Sequence, residues 1–365
     1  MSGAQDALRA ARAFATAGPA ASAAPLGSGH IHDTFSVACE APEGPVRYVL
    51  QRLNTRVFAD PTALVENAAL LTRTLAARAD GADPRRVLHC LPTREGGLMH
   101  RDAVGGVWRG FDRIEGARTF DSVDSPDRAR RAARAFGAFV RRLADLDPAR
   151  VRLTIPGFHD FDARFAAFET AIAADVTGRK GAARAEIEAF RDAVEALSRE
   201  LPRQALADLP VRVVHNDCKL NNVLFDEASG EALCVIDLDT VMPGSLLHDF
   251  GDLVRTAACS EPEDSRDLER VRVEPPLYQA LARGYLEGVA EVATEEEIAR
   301  LPLAGPLLAL ETGLRFLTDH LAGDRYFRVR REGHNLDRAR TQLRLGQDLL
   351  ADLPRARGWI EQAAP

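Results

Sequence analysis

The chain has 365 residues, long enough for two cores or one two-lobed unit, and its 46% hydrophobic content is ordinary for a globular protein. Its 47 Lys and Arg against 54 Asp and Glu leave a formal net charge of −7, which argues against nucleic acid or an anionic membrane as partner. The five cysteines are widely spaced without a Cys-x-x-Cys pair, and there is neither a membrane-length apolar run nor a basic-then-apolar leader, which speaks against a disulfide framework, a zinc site, a membrane span or secretion and predicts reduced thiols in a cytoplasmic protein.

In chain order, residues 1–18 predict a short amphipathic helix ending near Gly18-Pro19. Gly27-Ser28-Gly29 make a glycine turn into a strand over 34–39, and a turn at 42–45 joins it to a second strand over 46–53. Pro61 opens a helix whose Leu64, Ala68, Leu71 and Leu75 keep a helical period. Short strands are expected over 86–91 and 107–114. After about Asp124 the character changes. Ser125-Pro126 starts a long helix through Ala144, and Ile187, Phe190, Val194 and Leu197 mark another. Apolar runs at 211–214, 223–225 and 232–236 read as strand–loop–strand, and helices follow near 246–258, 275–290, 305–322 and 336–352. The predicted class is α+β, with a β-rich lobe over 1–115 and a larger helical lobe over 116–365.

The polar residues concentrate between those two patterns. His215, Asp217, Lys219 and Asn222 share one short loop, and Asp237 and Asp239 follow an apolar strand. Phosphoryl transfer needs a carboxylate to orient the acceptor hydroxyl and oxygen ligands for Mg²⁺ on the nucleotide phosphates. Asp217 suits the first role, Asn222 and Asp237 the second, with ATP as donor. His215 is expected to fix the loop by hydrogen bonding, with Lys219 and Asp239 in support. The pair Asp249 and Asp252 opens the next helix and is expected to brace the loop.

Gly27, Ser28 and Gly29 would let backbone N–H groups approach phosphates. His30, His32 and Asp33 at the lip of that turn suit contact with phosphates or acceptor better than a metal, since they lack a fourth ligand. On the second strand a phosphate-anchoring lysine is expected and none is present. Gln51 and Arg52 stand there instead, on opposite faces by strand alternation, so one of the two reaches the phosphates with Glu66 as its partner. Glu311, Arg315 and Asp319 recur every four residues, as either a solvated salt-bridged stripe or the lining of an acceptor pocket. Tyr326 and Phe327 follow closely and suit either stacking on a sugar ring or ordinary core packing.

These segments together resemble the aminoglycoside phosphotransferase and choline kinase superfamily, and within it the N-acetylhexosamine 1-kinases. The resemblance is carried by residues 27–35, 48–58, Trp108-Arg109, 215–226, 235–244, 249–252, 315–319 and 334–342. It implies a protein-kinase-like fold and ATP-dependent phosphorylation of the anomeric hydroxyl of a 2-acetamido sugar, with Asp217 as base, Asn222 and Asp237 at Mg²⁺, and His30, Arg315 and Tyr326 near the sugar. Another hydroxyl acceptor (an aminoglycoside, choline or homoserine) and a nucleotide-binding pseudokinase are the competing readings. A cationic acceptor would need a cluster of carboxylates or an aromatic cage, and the chain has only 4 Tyr and 2 Trp, which favours a neutral acceptor. Oligomeric state is left open by the sequence.

Overall fold

In the computed structural model, residues 2–27, 31–78 and 83–364 are described. The chain divides into two compact units, one of residues 1–118, 145–156 and 224–242, the other of residues 119–144, 157–223 and 243–365. This differs from the two continuous segments expected from composition. The reason is backbone pairing, since residues 117–118 form a strand against 225–226, and the buried Asn67 amide exchanges two hydrogen bonds with the backbone of Arg152.

The first unit opens with α1 (Ser2–Ala11) and β1 (Ala20–Pro25), followed by the hairpin β2 (Asp33–Cys39) and β3 (Val46–Arg52). Then come α2 (Pro61–Ala77), β4 (Cys90–Leu91), β5 (His100–Arg101), β6 (Val107–Asp112) and β7 (Ala117–Arg118). The main sheet runs β1-β2-β3-β6-β4, with β5 on β6. Alternation along the hairpin buries Phe35, Val37 and Cys39 of β2 with Tyr48 and Leu50 of β3, and α1 covers that face with Ala7, Ala10 and Ala11. Each buried large side chain there stabilises by roughly 1.5–3 kcal/mol. After β8 (Arg212–Val214), a strand of the second unit, β9 (Val223–Asp226) and β10 (Ala232–Val235) complete a small sheet with β7.

The second unit is helical: α3 (Pro126–Arg142), α4 (Phe161–Ala174), α5 (Arg184–Glu200), α6 (Arg203–Ala207), α7 (Leu246–Ala257), α8 (Pro275–Val289), α9 (Glu295–Arg300), α10 (Ala304–Ala322), α11 (His334–Ala351) and α12 (Leu353–Ala363). Helices α3 and α8 cross so closely that a Cβ on Gly284 would sit 2.1 Å from the Arg130 carbonyl oxygen. Among the described residues, no helix is long and apolar enough to cross a membrane. All five cysteines are free thiols.

Most expected elements form within a residue or two of their predicted ends. Helix α1 stops at Ala11 rather than near Gly18, and α6, α9 and α12 were not expected; three other differences have identifiable reasons. The Ala-rich strand β1 carries no β-branched residue to announce it and is stabilised by pairing with β2. Residues 86–91 form only the two-residue β4, because Pro84 opens a 3-10 turn capped by Asp83. Helix α4 was not anticipated, since only Phe168 and Ile172 of its apolar residues are buried.

Candidate active site

In the second unit, the loop after β8 carries Asp217. The chain turns at Asn216, whose φ of 63° lies in the left-handed region that asparagine tolerates better than most residues. Asp249, in the first turn of α7, accepts the backbone N–H groups of His215 at 3.0 Å and Asn216 at 2.7 Å. Burial pushes the Asp249 carboxyl up, against the pull of His215 and the two amides. His215 is buried edge-on against Phe136 and Phe139, and its Nδ1 accepts the Asp217 amide at 3.3 Å. Asp249 thus braces the loop as expected, whereas its neighbour Asp252 is taken up by Arg255.

Asp217 is held from two sides. The Asn222 amide donates to its backbone carbonyl at 2.9 Å and to its Oδ2 at 3.0 Å, and the Lys219 ammonium lies 2.5 Å from its Oδ1. Burial alone would raise its pKa, but Lys219 above all, then His215 and Asn222, more than offset that and hold the carboxyl below its ordinary value. The Asp217 side chain is 22% exposed, so a hydroxyl can approach an ionised carboxylate there. Both N–H groups of the Asn222 amide are spent on Asp217, which leaves its carbonyl oxygen as the atom suited to a hard cation.

In the first unit, β10 ends at Val235 and the chain turns at Asp237, also left-handed with φ 63°. Asp239 follows in a single 3-10 turn and is buried. Arg109 of β6 grips it with both terminal nitrogens, at 2.5 and 2.7 Å, while donating from Nε to Gln51 Oε1 at 2.9 Å. Gln51 passes the chain on to Thr34 Oγ1 at 3.1 Å. His32 Nε2 lies 2.7 Å from Asp239 Oδ2, the oxygen that Arg109 Nη2 also holds, and its Nδ1 accepts the Asn54 amide at 2.9 Å. Burial opposes the Asp239 charge, but Arg109 first and then His32 overcome it and hold the carboxyl far below its ordinary value. Among the described residues, no group of three or more His, Cys, Asp or Glu side chains could hold a metal. Mg²⁺, which takes one or two protein carboxylates plus substrate phosphates, does not require such a group.

Helix α10 carries the four-residue stripe, and the structure buries it rather than solvating it. Glu311 is 1% exposed and its Oε1 lies 2.9 Å from His159 Nδ1. Arg315 is sandwiched between Phe158 and Phe327, its guanidinium carbon 5.3 and 5.5 Å from the ring centroids. Asp319 accepts the amides of Arg325, Tyr326 and Phe327 and the side chain of Asn335, all at 2.8–2.9 Å. Those four bonds fill the lone pairs of its carboxylate.

A family described as "Phosphotransferase enzyme family" matches residues 22–301. The chain belongs to this phosphotransferase family. Its β-sheet N-terminal region and helical C-terminal region match the kinase-like fold of solved phosphotransferases. Its structure is similar to that of an aminoglycoside phosphotransferase from Alicyclobacillus acidocaldarius subsp. acidocaldarius, at 13% identity over 97% of this chain and 96% of that one, with a TM-score of 0.64. It is also similar to a microcompartment-associated aminopropanol kinase, at 18% identity over 96% of each chain and a TM-score of 0.63. A spectinomycin phosphotransferase in complex with ADP and spectinomycin matches at 12% identity over 96% of this chain and 98% of that one, with a TM-score of 0.59.

Within the phosphotransferase, several expected site residues stand elsewhere than anticipated. Glu66 faces outward from α2 and pairs with Arg152 at 2.9 Å, so it is partner to neither Gln51 nor Arg52. Gln51 is engaged by Arg109 and Thr34, while Arg52 lies on the opposite face beside Asp102. Asp319, expected at the acceptor, has no lone pair left for a hydroxyl. Asp33 and Tyr326 are exposed, Tyr326 at 64%. Gly27 sits in the left-handed region with φ 76°. Ser28, Gly29 and His30 lie outside the described residues. Sequence reasoning gave no role to Arg109 or His159. A basic residue in the otherwise buried β6 was a usable signal for Arg109, because a buried cation needs a partner. His159, in a connecting segment after Gly157, offered none.

Proposed function

We propose that this phosphotransferase uses ATP and Mg²⁺ to phosphorylate a neutral, oxygen-rich acceptor, and that the acceptor is an N-acetylhexosamine taken at its anomeric hydroxyl. The observation that carries the choice of a neutral acceptor is the state of the charged stripe on α10. Glu311 pairs through Oε1 with His159, and both oxygens of Asp319 are filled by a backbone loop and Asn335, so the carboxylates of the stripe are already engaged before an ammonium group arrives. Arg315, by contrast, has no hydrogen-bonded acceptor among the described residues, and its flanking rings hold it ready for a neutral oxygen.

In this mechanism Asp217, ionised and steadied by Asn222, accepts a hydrogen bond from the acceptor hydroxyl and aligns it for in-line attack. Asn222 and Asp237 supply oxygens to Mg²⁺, which when bound offsets the charge on the phosphates. Lys219 balances the charge of Asp217 before substrate arrives. Arg315 and Tyr326 are assigned to the sugar.

The test is an acceptor panel of hexoses, N-acetylhexosamines, amino alcohols and aminoglycosides with Mg²⁺-ATP and coupled ADP detection. Phosphorus NMR distinguishes a glycosyl 1-phosphate by its anomeric coupling. Turnover on amino alcohols or aminoglycosides without turnover on N-acetylhexosamines refutes the neutral-acceptor reading, and ATP binding without turnover on any acceptor refutes the kinase reading. Asp217→Asn is expected to lower kcat by roughly 10²–10⁴-fold with ATP affinity near normal.

A further inference from the structure

We propose that His159 is held as an imidazolium by Glu311 and, through the backbone carbonyl of Asn216, positions the loop that carries Asp217. The proposal rests on Asp217 being the base of a kinase. All the residues involved lie in the second unit.

The argument begins with the two ring nitrogens. His159 Nδ1 is 2.9 Å from Glu311 Oε1, and Nε2 is 3.0 Å from the Asn216 carbonyl oxygen. A carbonyl oxygen can only accept, and an ionised carboxylate can only accept. A neutral imidazole has a single N–H, so it would set one lone pair against another at one of these contacts. The imidazolium satisfies both. His248 provides an internal contrast. It takes the Ser245 backbone amide on Nδ1 at 3.5 Å, and so needs no second proton.

The surroundings agree. From α10, Glu311 faces the ring, with Arg315 beside Glu311; from α7, His248 and Asp252; from the loop, Asn216; from α4, Arg164 lies near Arg315 and Glu311. Burial works against a charge on His159, but Glu311 and the Asn216 carbonyl outweigh it and raise its pKa. Burial and the His159 charge together hold His248, 4.9 Å away ring to ring, down to about 3, so only one of the two rings is charged. A proton on Glu311 instead of His159 would give the same proton count. His159 first and then Arg315 hold Glu311 below its ordinary pKa despite burial, which agrees with the proton lying on the ring.

The consequence falls on the loop. Asn216 is left-handed and immediately precedes Asp217, so its carbonyl direction helps decide where the Asp217 carboxylate points. When the ring loses its second proton, the remaining N–H stays with the anionic Glu311, the stronger acceptor. Nε2 then presents a lone pair to the Asn216 carbonyl and the loop loses its hold. His159 is therefore a positioning residue with an alkaline limit.

Histidine-labelled wild-type protein, with His159→Gln used for assignment, should show both ring nitrogens of His159 protonated at pH 7 by proton–nitrogen NMR. The Asp217 amide resonance should titrate in step with the ring. A singly protonated ring at pH 7, or an Asp217 amide indifferent to its titration, overturns the proposal. Both measurements stand even if no acceptor is turned over, an outcome that would count against the kinase reading alone. With N-acetylglucosamine and Mg²⁺-ATP, Glu311→Gln should move the alkaline limb of kcat down by a pH unit or more. At a pH on the falling limb, turnover then drops by about tenfold while KM for ATP stays within roughly twofold. An unmoved limb overturns the positioning role; if that variant does not fold, the wild-type NMR titration decides.

Discussion

Replacing Arg109 with Met removes the cation that the first unit builds around Asp239. The substitution keeps most of the side-chain volume but deletes two bonds to Asp239, at 2.5 and 2.7 Å, and one to Gln51 at 2.9 Å. Asp239 is 3% exposed, so the loss leaves a buried carboxylate with only His32 and no water to replace the guanidinium. Breaking a buried pair from one side costs about 3–5 kcal/mol. For a chain of this size, that corresponds to a fall in Tm of roughly 4–7 °C. The double variant Arg109→Met/Asp239→Leu removes both charges and should recover most of the loss, because the penalty comes from the orphaned charge. The Asp239 pKa is depressed, so the stability the pair contributes is present above the unfolded carboxyl value near about 4 and is lost only as pH falls through the lower folded value. Between pH 6 and 8 the difference between wild type and single variant should therefore be constant. Urea denaturation of the four proteins of the cycle reads the coupling directly. A single-variant cost under about 1 kcal/mol, or a double variant no better than the sum of the singles, would show that the pair is wet and the reasoning wrong.

Asp249→Ala orphans the amides of His215 and Asn216 beside a buried histidine and should cost roughly 2–5 kcal/mol in urea denaturation, with turnover falling alongside; full activity in that variant would mean the loop holds its shape without the brace. Glu66→Gln loosens only an exposed contact with Arg152, so stability should change by less than about 1 kcal/mol with ATP affinity unaltered. A tenfold loss of ATP affinity would return Glu66 to the nucleotide. Gly284→Ala forces a Cβ to within 2.1 Å of the Arg130 carbonyl oxygen and must spread α3 from α8, at a cost of about 1–3 kcal/mol or more. A Tm equal to wild type would refute that close approach.

The loop that carries Asp217 was legible because its polar contacts are local in sequence. His215, Asp217, Lys219 and Asn222 fall within eight positions, and the structure links them by bonds that span two to five residues. Asp249, on the next helix, was readable for the same reason. The phosphate-anchoring question was misframed, since Gln51 and Arg52 were weighed against each other while the cation that touches Gln51 comes from β6. The register that sets Gln51 opposite Arg109 is a property of the sheet. The α10 stripe shows the converse error. Its spacing correctly put Glu311, Arg315 and Asp319 on one face, but spacing cannot say whether that face meets water, rings or a backbone loop.

The sequence by itself determined the order of elements, the reaction class and the loop that carries Asp217, because periodicity, turn residues and a compact motif are written in neighbouring positions. Tertiary structure decided which charges are spent. Asp239 on Arg109, Asp319 on three amides and Glu311 on His159 are joined across 130, 6 to 8 and 152 residues respectively. A carboxylate's availability depends on which donors surround it once water has been excluded, and that is known only when the chain has folded.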